Sequence, residues 1–117
     1  PSDASTVWEC GRETLANGGG VHPTQKPVEL GRKACRNSAA EGEIVVDFYS
    51  GSGSTIIAAE QTKRIAYAME LDPIYVDVAV RRWQDFTGHK ATHATEKRSF
   101  DEVATSRLGK VKAKAKR

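Results

Sequence analysis

Asp47, Gly51, Gly53 and Glu70 are spaced as a site for a small nucleoside-like ligand would space them. Asp47 belongs to a short β-branched run, Ile44-Val45-Val46-Asp47-Phe48. Gly51 and Gly53 stand in Ser50-Gly51-Ser52-Gly53-Ser54-Thr55, and Glu70 follows Gly51 by nineteen positions, at the end of the next apolar run. Glycines let a backbone approach a ligand closely, and the free N–H groups of a following helix favour a carboxylate. An acid at the tip of the second strand can accept hydrogen bonds from both hydroxyls of a ribose. Phosphate-binding versions of this turn fit less well. A P-loop needs lysine after its glycine, where Ser54-Thr55 stands, and the dinucleotide fingerprint needs a small residue where Ile56 stands. A ligand with an adenosine ribose and an amino-acid carboxylate but no phosphate satisfies every group, and S-adenosylmethionine is such a ligand. From these residues alone the alternative is an ordinary βαβ turn with Glu70 at a solvent-exposed strand end.

The surrounding pattern supplies the elements that such a site needs. Val28 to about Ser38 follows Pro27 and sets Leu30, Ala34 and Cys35 at helical spacing. Residues 44–48 lack polar alternation, which suits a strand buried on both faces of a parallel sheet. After the glycine turn, Ile56 to Gln61 reads as a helix and Ile65 to Met69 as a second strand, completing a βαβ unit. Val76, Ala79, Val80, Trp83 and Phe86 recur at i, i+3, i+4, i+7, so Pro73 to Phe86 reads as an amphipathic helix capped by Asp72-Pro73 and ended near Gly88. Residues 1–20 read as a polar loop with at most an edge strand at Val7-Trp8-Glu9-Cys10. Residues 89–117 read as a basic tail with at most a short turn between Phe100 and Arg107.

Composition narrows the classes. With 117 residues, 38% hydrophobic and 28% charged, the chain is one small domain or a piece of a larger one. It has no run of about 18 apolar residues and no signal-peptide pattern, so a soluble intracellular protein is expected. Its net charge of +3 is uneven. Residues 1–106 hold 12 basic against 15 acidic residues, whereas six basic residues and no acid follow from Arg107 onward. Lys110, Lys112, Lys114 and Lys116 are candidates for a phosphate-contacting arm, the alternative being a solvated terminus. Cys10 and Cys35 have no CxxC spacing, and the i, i+4 pair His89 and His93 lacks a third ligand, so neither disulfide nor metal chemistry is expected.

Three segments together resemble the amino-group DNA methyltransferases, which modify adenine at N6 or cytosine at N4: His22-Pro23-Thr24-Gln25-Lys26-Pro27-Val28-Glu29-Leu30, Asp47-Phe48-Tyr49-Ser50-Gly51-Ser52-Gly53-Ser54-Thr55 and Glu70-Leu71-Asp72-Pro73-Ile74-Tyr75. The resemblance runs from about Trp8 to Gly88. It implies a partial Rossmann-like methyltransferase fold of the α/β class with an incomplete sheet. It also implies S-adenosylmethionine as cofactor, bound through Asp47, Tyr49, Gly51, Gly53 and Glu70, with Thr24, Gln25 and Lys26 closing the pocket around the methionine moiety. DNA is the implied partner, and residues 21–88 are the cofactor-binding portion.

Two departures stand out. Tyr49-Ser50 replaces the family's phenylalanine and small residue, which keeps an aromatic wall but adds a hydroxyl that needs a partner. The family's catalytic motif, Asp/Asn/Ser-Pro-Pro followed by an aromatic residue, holds the flipped base while its amine attacks the methyl group in line. That motif is absent, and Asp72-Pro73-Ile74-Tyr75 lacks its second proline. Where the His-Pro-Thr-Gln-Lys-Pro segment precedes the glycine turn, the catalytic motif lies further N-terminal, so the chain is expected to be the C-terminal portion of a longer enzyme, with no catalytic residue of its own. A two-stranded parallel sheet leaves its edges unpaired, and either the missing N-terminal half or a second copy is expected to cover it. A non-catalytic cofactor- or DNA-binding scaffold is the other reading.

Overall fold

The computed structural model describes Trp8, Cys10 and residues 26–115, with side chains to Gly109. Helix α1 spans Val28–Ser38, strand β1 Ile44–Asp47, helix α2 Ser54–Gln61, strand β2 Ile65–Ala68, helix α3 Pro73–Thr87 and helix α4 Phe100–Ala115. The two strands pair in parallel, in a register that sets Ile44 beside Ile65 and Asp47 beside Ala68, with α2 as the crossover. The expected βαβ unit is therefore present, with β1 and β2 each one residue shorter than the sequence pattern suggests and α2 beginning two residues earlier. The polar loop over residues 1–20 lies almost wholly outside the described residues.

Local chemistry explains where the helices begin and end. Pro27 precedes α1, and Glu29 pairs with Arg32 across one turn at 3.1 Å. At the start of α3 the Asp72 carboxylate accepts the Ile74 N–H at 2.9 Å, with Pro73 at the first helical position, where its missing N–H costs nothing. Gly88 ends it in the left-handed region, φ 72°, its N–H returned to the Gln84 carbonyl at 2.8 Å.

Helix α2 is the centre of the core. Ile57, Ala58 and Ala59 are buried there, joined by Cys35 of α1 and Ala79 of α3. The helices meet through small residues: a Cβ on Gly31 would stand 2.8 Å from the Ala58 Cβ, so α1 reaches α2 only because residue 31 has no side chain. Thr62, buried just beyond α2, donates its hydroxyl to the Ala58 carbonyl at 2.7 Å. The same carbonyl accepts the Thr62 N–H at 3.1 Å, so side chain and backbone together close the end of α2.

The helices cover one face of the sheet. Val45, Asp47 and Ala66 are half-buried, whereas Ile44, Val46, Ile65 and Tyr67 on the opposite face are 57, 53, 52 and 60% exposed. The sequence pattern calls for strands buried on both faces, and here only one is covered. Alternation of the pleat explains the division, since i and i+2 side chains share a face and only one face meets a helix among the described residues.

A second difference lies beyond Gly88. In place of a short turn and an unstructured tail, α4 runs for 16 residues. Its start is a capping box: Glu102 accepts the Ser99 N–H at 2.8 Å and the Ser99 hydroxyl at 2.7 Å, and the Glu102 N–H approaches Ser99 Oγ at 3.4 Å. Asp101 and Glu102 in the first turn, with lysines toward the other end, complement the helix dipole. Val103 is buried, and Phe100 lies under the Arg81 guanidinium at 5.4 Å. Such a helix has little apolar periodicity to detect, although the sequence does contain the Ser-x-x-Glu signal.

Gly31→Ala tests the packing of α1 on α2. Alanine is favoured within a helix by about 1 kcal/mol, while overpacking costs about 1–3 kcal/mol. Urea unfolding should show a net loss of about 1 kcal/mol, and a more stable variant would mean that α1 and α2 can separate freely.

Candidate cofactor site

The site is built where β1 and β2 end side by side. The Met69 N–H donates to the Asp47 carbonyl at 2.8 Å, and the Ser50 N–H donates to the Met69 carbonyl at 3.0 Å, so the parallel pairing continues into the glycine turn. Gly51 and Gly53 adopt φ of 55° and 83°, a region open to glycine and costly for most other residues. Gly53 has a second constraint. A Cβ there would lie 2.8 Å from the Ala79 Cβ, so α3 packs directly beneath the turn.

Asp47 shapes this turn. Its Oδ1 accepts the Tyr49 N–H at 2.9 Å and its Oδ2 accepts the Thr55 hydroxyl at 2.5 Å, which ties the strand end to the first turn of α2. Both carboxylate oxygens thus take part in bonds within the turn. Residue order alone gives Thr55 no role, although it ends the glycine segment.

Glu70 spans the gap between the two strand ends. Its Oε2 accepts the Gly51 N–H at 2.7 Å and its Oε1 the Asp72 N–H at 3.0 Å. The Asp72 and Gly51 N–H groups hold the Glu70 carboxyl below its ordinary value of 4.5, outweighing desolvation and the repulsion from Asp47. Asp47 and Glu70 therefore both present carboxylates at one end of the sheet, beside the N-terminus of α2.

The remaining expected residues divide clearly. Tyr49 is 84% exposed and forms the open flank of the turn rather than the wall of a closed pocket. Lys26 is brought to the site by its backbone, whose carbonyl accepts the Ser54 hydroxyl at 2.7 Å. Thr24 and Gln25 lie outside the described residues, as does Lys116. Lys110, Lys112 and Lys114 fall on the C-terminal half of α4, whose side chains there are likewise outside the description. The helical pattern puts Arg82 on the polar face of α3, yet its Nη1 lies 3.1 Å from Ser54 Oγ and 3.4 Å from both the carbonyl and the hydroxyl of Ser52. No motif marks it, because only the packing of α3 under Gly53 brings it to the turn. Among the described residues no group of His, Cys, Asp and Glu could hold a metal ion, and no helix is long and apolar enough to cross a membrane.

Residues 2–81 match the DNA methylase family, a span that includes the glycine turn, Glu70 and most of α3. The chain belongs to that family. It is 37% identical over 79 residues to the type II methyltransferase M.Cfr9I of Citrobacter freundii, an alignment covering 68% of this chain and 25% of M.Cfr9I. Against M.HpaI of Haemophilus parainfluenzae it is 29% identical over 105 residues, covering 88% of this chain and 33% of the relative. It thus spans a quarter to a third of these curated relatives. Among solved structures, M1.HpyAVI in its SAM complex superposes with a TM-score of 0.51 at 32% identity, over 54% of this chain and 32% of that one. A putative DNA modification methylase from Thermus thermophilus gives 0.51 at 34% identity, over 52% and 26%. The fold of this chain is accordingly a partial Rossmann-like methyltransferase fold, its βαβ unit carrying the glycine turn.

The depressed pKa of Glu70 has a consequence for acid stability. Its folded-state value lies below 4.5, so its stabilising contribution is complete above that pH and is lost as pH falls through the folded value. Thermal melts of Glu70→Gln should therefore depend less on pH below 4.5 than those of the wild type. Equal slopes would refute the assignment.

Proposed function

We propose that this methylase chain supplies the cofactor-binding part of a site-specific DNA methyltransferase, which transfers a methyl group from S-adenosylmethionine to an exocyclic amine of adenine (N6) or cytosine (N4). The observation that carries this reading is the position of Glu70, fixed at the tip of β2 by the Gly51 and Asp72 N–H groups. A carboxylate offers about four acceptor positions, so these bonds leave capacity for ribose hydroxyls. Gly51 and Gly53 would let the ligand approach the backbone, and the N-terminus of α2 would favour the ligand's carboxylate. Asp47 would hold the turn in shape, Tyr49 would flank the ligand, and Thr24, Gln25 and Lys26 would close the methionine side. The bound cofactor supplies an electrophilic methyl sulfonium, and the amine that attacks it loses a proton.

The Pro-Pro-aromatic motif that would hold the base is not among the 117 residues. That favours either of two arrangements: a catalytic portion completing the enzyme, or a binding module without catalysis. The exposed face at Ile44, Val46, Ile65 and Tyr67 fits the first, because a large apolar surface on a parallel sheet is ordinarily covered. The rest of the methylase would cover it, with a second copy of this chain as the other candidate. A DNA substrate would also place the work inside the cell, where Lys110, Lys112, Lys114 and Lys116 would contact phosphates independently of sequence.

Calorimetric titration of S-adenosylmethionine into the chain tests the reading. Binding is expected, and Glu70→Ala should weaken it by about tenfold or more. A folded chain that binds no cofactor would refute it. Deleting residues 107–117 should weaken duplex DNA binding and flatten its salt dependence, by a slope of about 0.9 for each phosphate the shortened chain leaves unneutralised. An unchanged slope would remove the lysines from the interface.

A further inference from the structure

We propose that Arg82 and Ser54 are positioning residues, which set the methionine side of the cofactor pocket by holding the Lys26 segment against the glycine turn. The inference rests on the cofactor reading above. Its basis is a chain of hydrogen bonds through three parts of the sequence. Arg82 Nη1, on α3, donates to Ser54 Oγ at 3.1 Å, and Ser54 Oγ, at the first turn of α2, donates to the Lys26 carbonyl at 2.7 Å. The same Nη1 approaches the Ser52 carbonyl and hydroxyl at 3.4 Å. Ser52 and Ser54 are both buried, so water cannot readily replace these partners.

Packing delivers Arg82 to this place. Gly53 has no side chain, which lets Ala79 sit against the turn, and Arg82 follows Ala79 by three residues on the same face of α3. A cation beside a helix N-terminus is electrostatically unfavourable. Arg82 Nη1 nonetheless reaches both Ser52 and Ser54, so the guanidinium holds the turn and the first residue of α2 together. Ser54 in turn uses one hydroxyl as acceptor from Arg82 and donor to Lys26.

The two halves of the ligand would then depend on different residues. Glu70 would serve the ribose, while the Arg82–Ser54 relay would hold the Lys26 backbone at the amino-acid end. Substitution of Ser54 or Arg82 should impair recognition of one half only, which a general loss of stability would not do.

The test compares S-adenosylhomocysteine with adenosine by titration calorimetry, using the full 117-residue chain. Ser54→Ala and Arg82→Leu should weaken S-adenosylhomocysteine by about tenfold and leave adenosine within about twofold. Ser54→Thr, which keeps the hydroxyl, should retain wild-type affinity, and Glu70→Ala should weaken both ligands. Wild-type binding of neither ligand overturns the cofactor reading and this inference with it. Equal loss of both ligands in Ser54→Ala, or loss of neither, overturns the relay alone. Hydrogen exchange provides a ligand-free check: Ser54→Ala should speed exchange of the Leu30 amide, which donates to the Pro27 carbonyl at 3.2 Å next to Lys26, by about tenfold without changing β1 and β2. Unchanged exchange there would also overturn the relay.

Discussion

The hydrogen bond from the Gly51 N–H to the Glu70 carboxylate joins the two ends on which the rest of the structure depends. Parallel strands place their C-terminal ends together, and the Ser50 N–H to Met69 carbonyl bond carries that pairing into the loop, but Gly51 is joined to the second strand's end through a side chain. Glu70 makes that connection with one oxygen and holds the start of the Asp72 cap with the other. The glycine turn, β2 and the first turn of α3 thereby become one rigid corner, at an end of the sheet where open α/β folds bind their ligands. Asp47 performs a parallel task from the other strand by tying Tyr49 and Thr55 to the end of β1. The two carboxylates thus organise the backbone before either could meet a ligand.

Close approach at two glycines converts this corner into a packed unit. Gly31 admits Ala58 and Gly53 admits Ala79, so α2 is held between α1 and α3 with very little side-chain volume at either junction. Such junctions bury little apolar area per residue, and none of the large described side chains is fully buried. Precision here comes from backbone proximity rather than from a large core. That suits a turn whose shape must be maintained by its neighbours, and it places the stability of the site in the α1–α2–α3 layer.

The sheet itself is asymmetric. One face rests on helices, and the other presents Ile44, Val46, Ile65 and Tyr67. The matched relatives are three to four times longer than the shared segment, and an apolar run exposed on one side is unusual for a parallel sheet. Chain segment and fold are consistent on this point: the strands have the composition of buried strands, and the described residues provide half of the cover.

Much of this was legible from residue order. The type and succession of α1, β1, α2, β2 and α3 follow from periodicity, from Pro27, Asp72-Pro73 and Gly88 at the helix ends, and from β-branched runs. These signals act over a few residues and need no partner. The glycine turn and the placing of Glu70 at the next strand end were equally readable, because the spacing of a βαβ unit is fixed by its crossover. Helix α4 escapes such a reading, since its Ser99–Glu102 capping box precedes a polar run without a clear apolar stripe. What tertiary structure alone decided is the use of each group. The turn amide to which Glu70 is bound, the internal commitment of Asp47, and the link from Arg82 through Ser54 to Lys26 were not readable from residue order. Nor was the covering of only one sheet face. The links from Glu70 and Arg82 join residues 19 to 30 positions apart. Their partners are chosen by how α2 and α3 pack around two missing side chains, and no local rule contains that information.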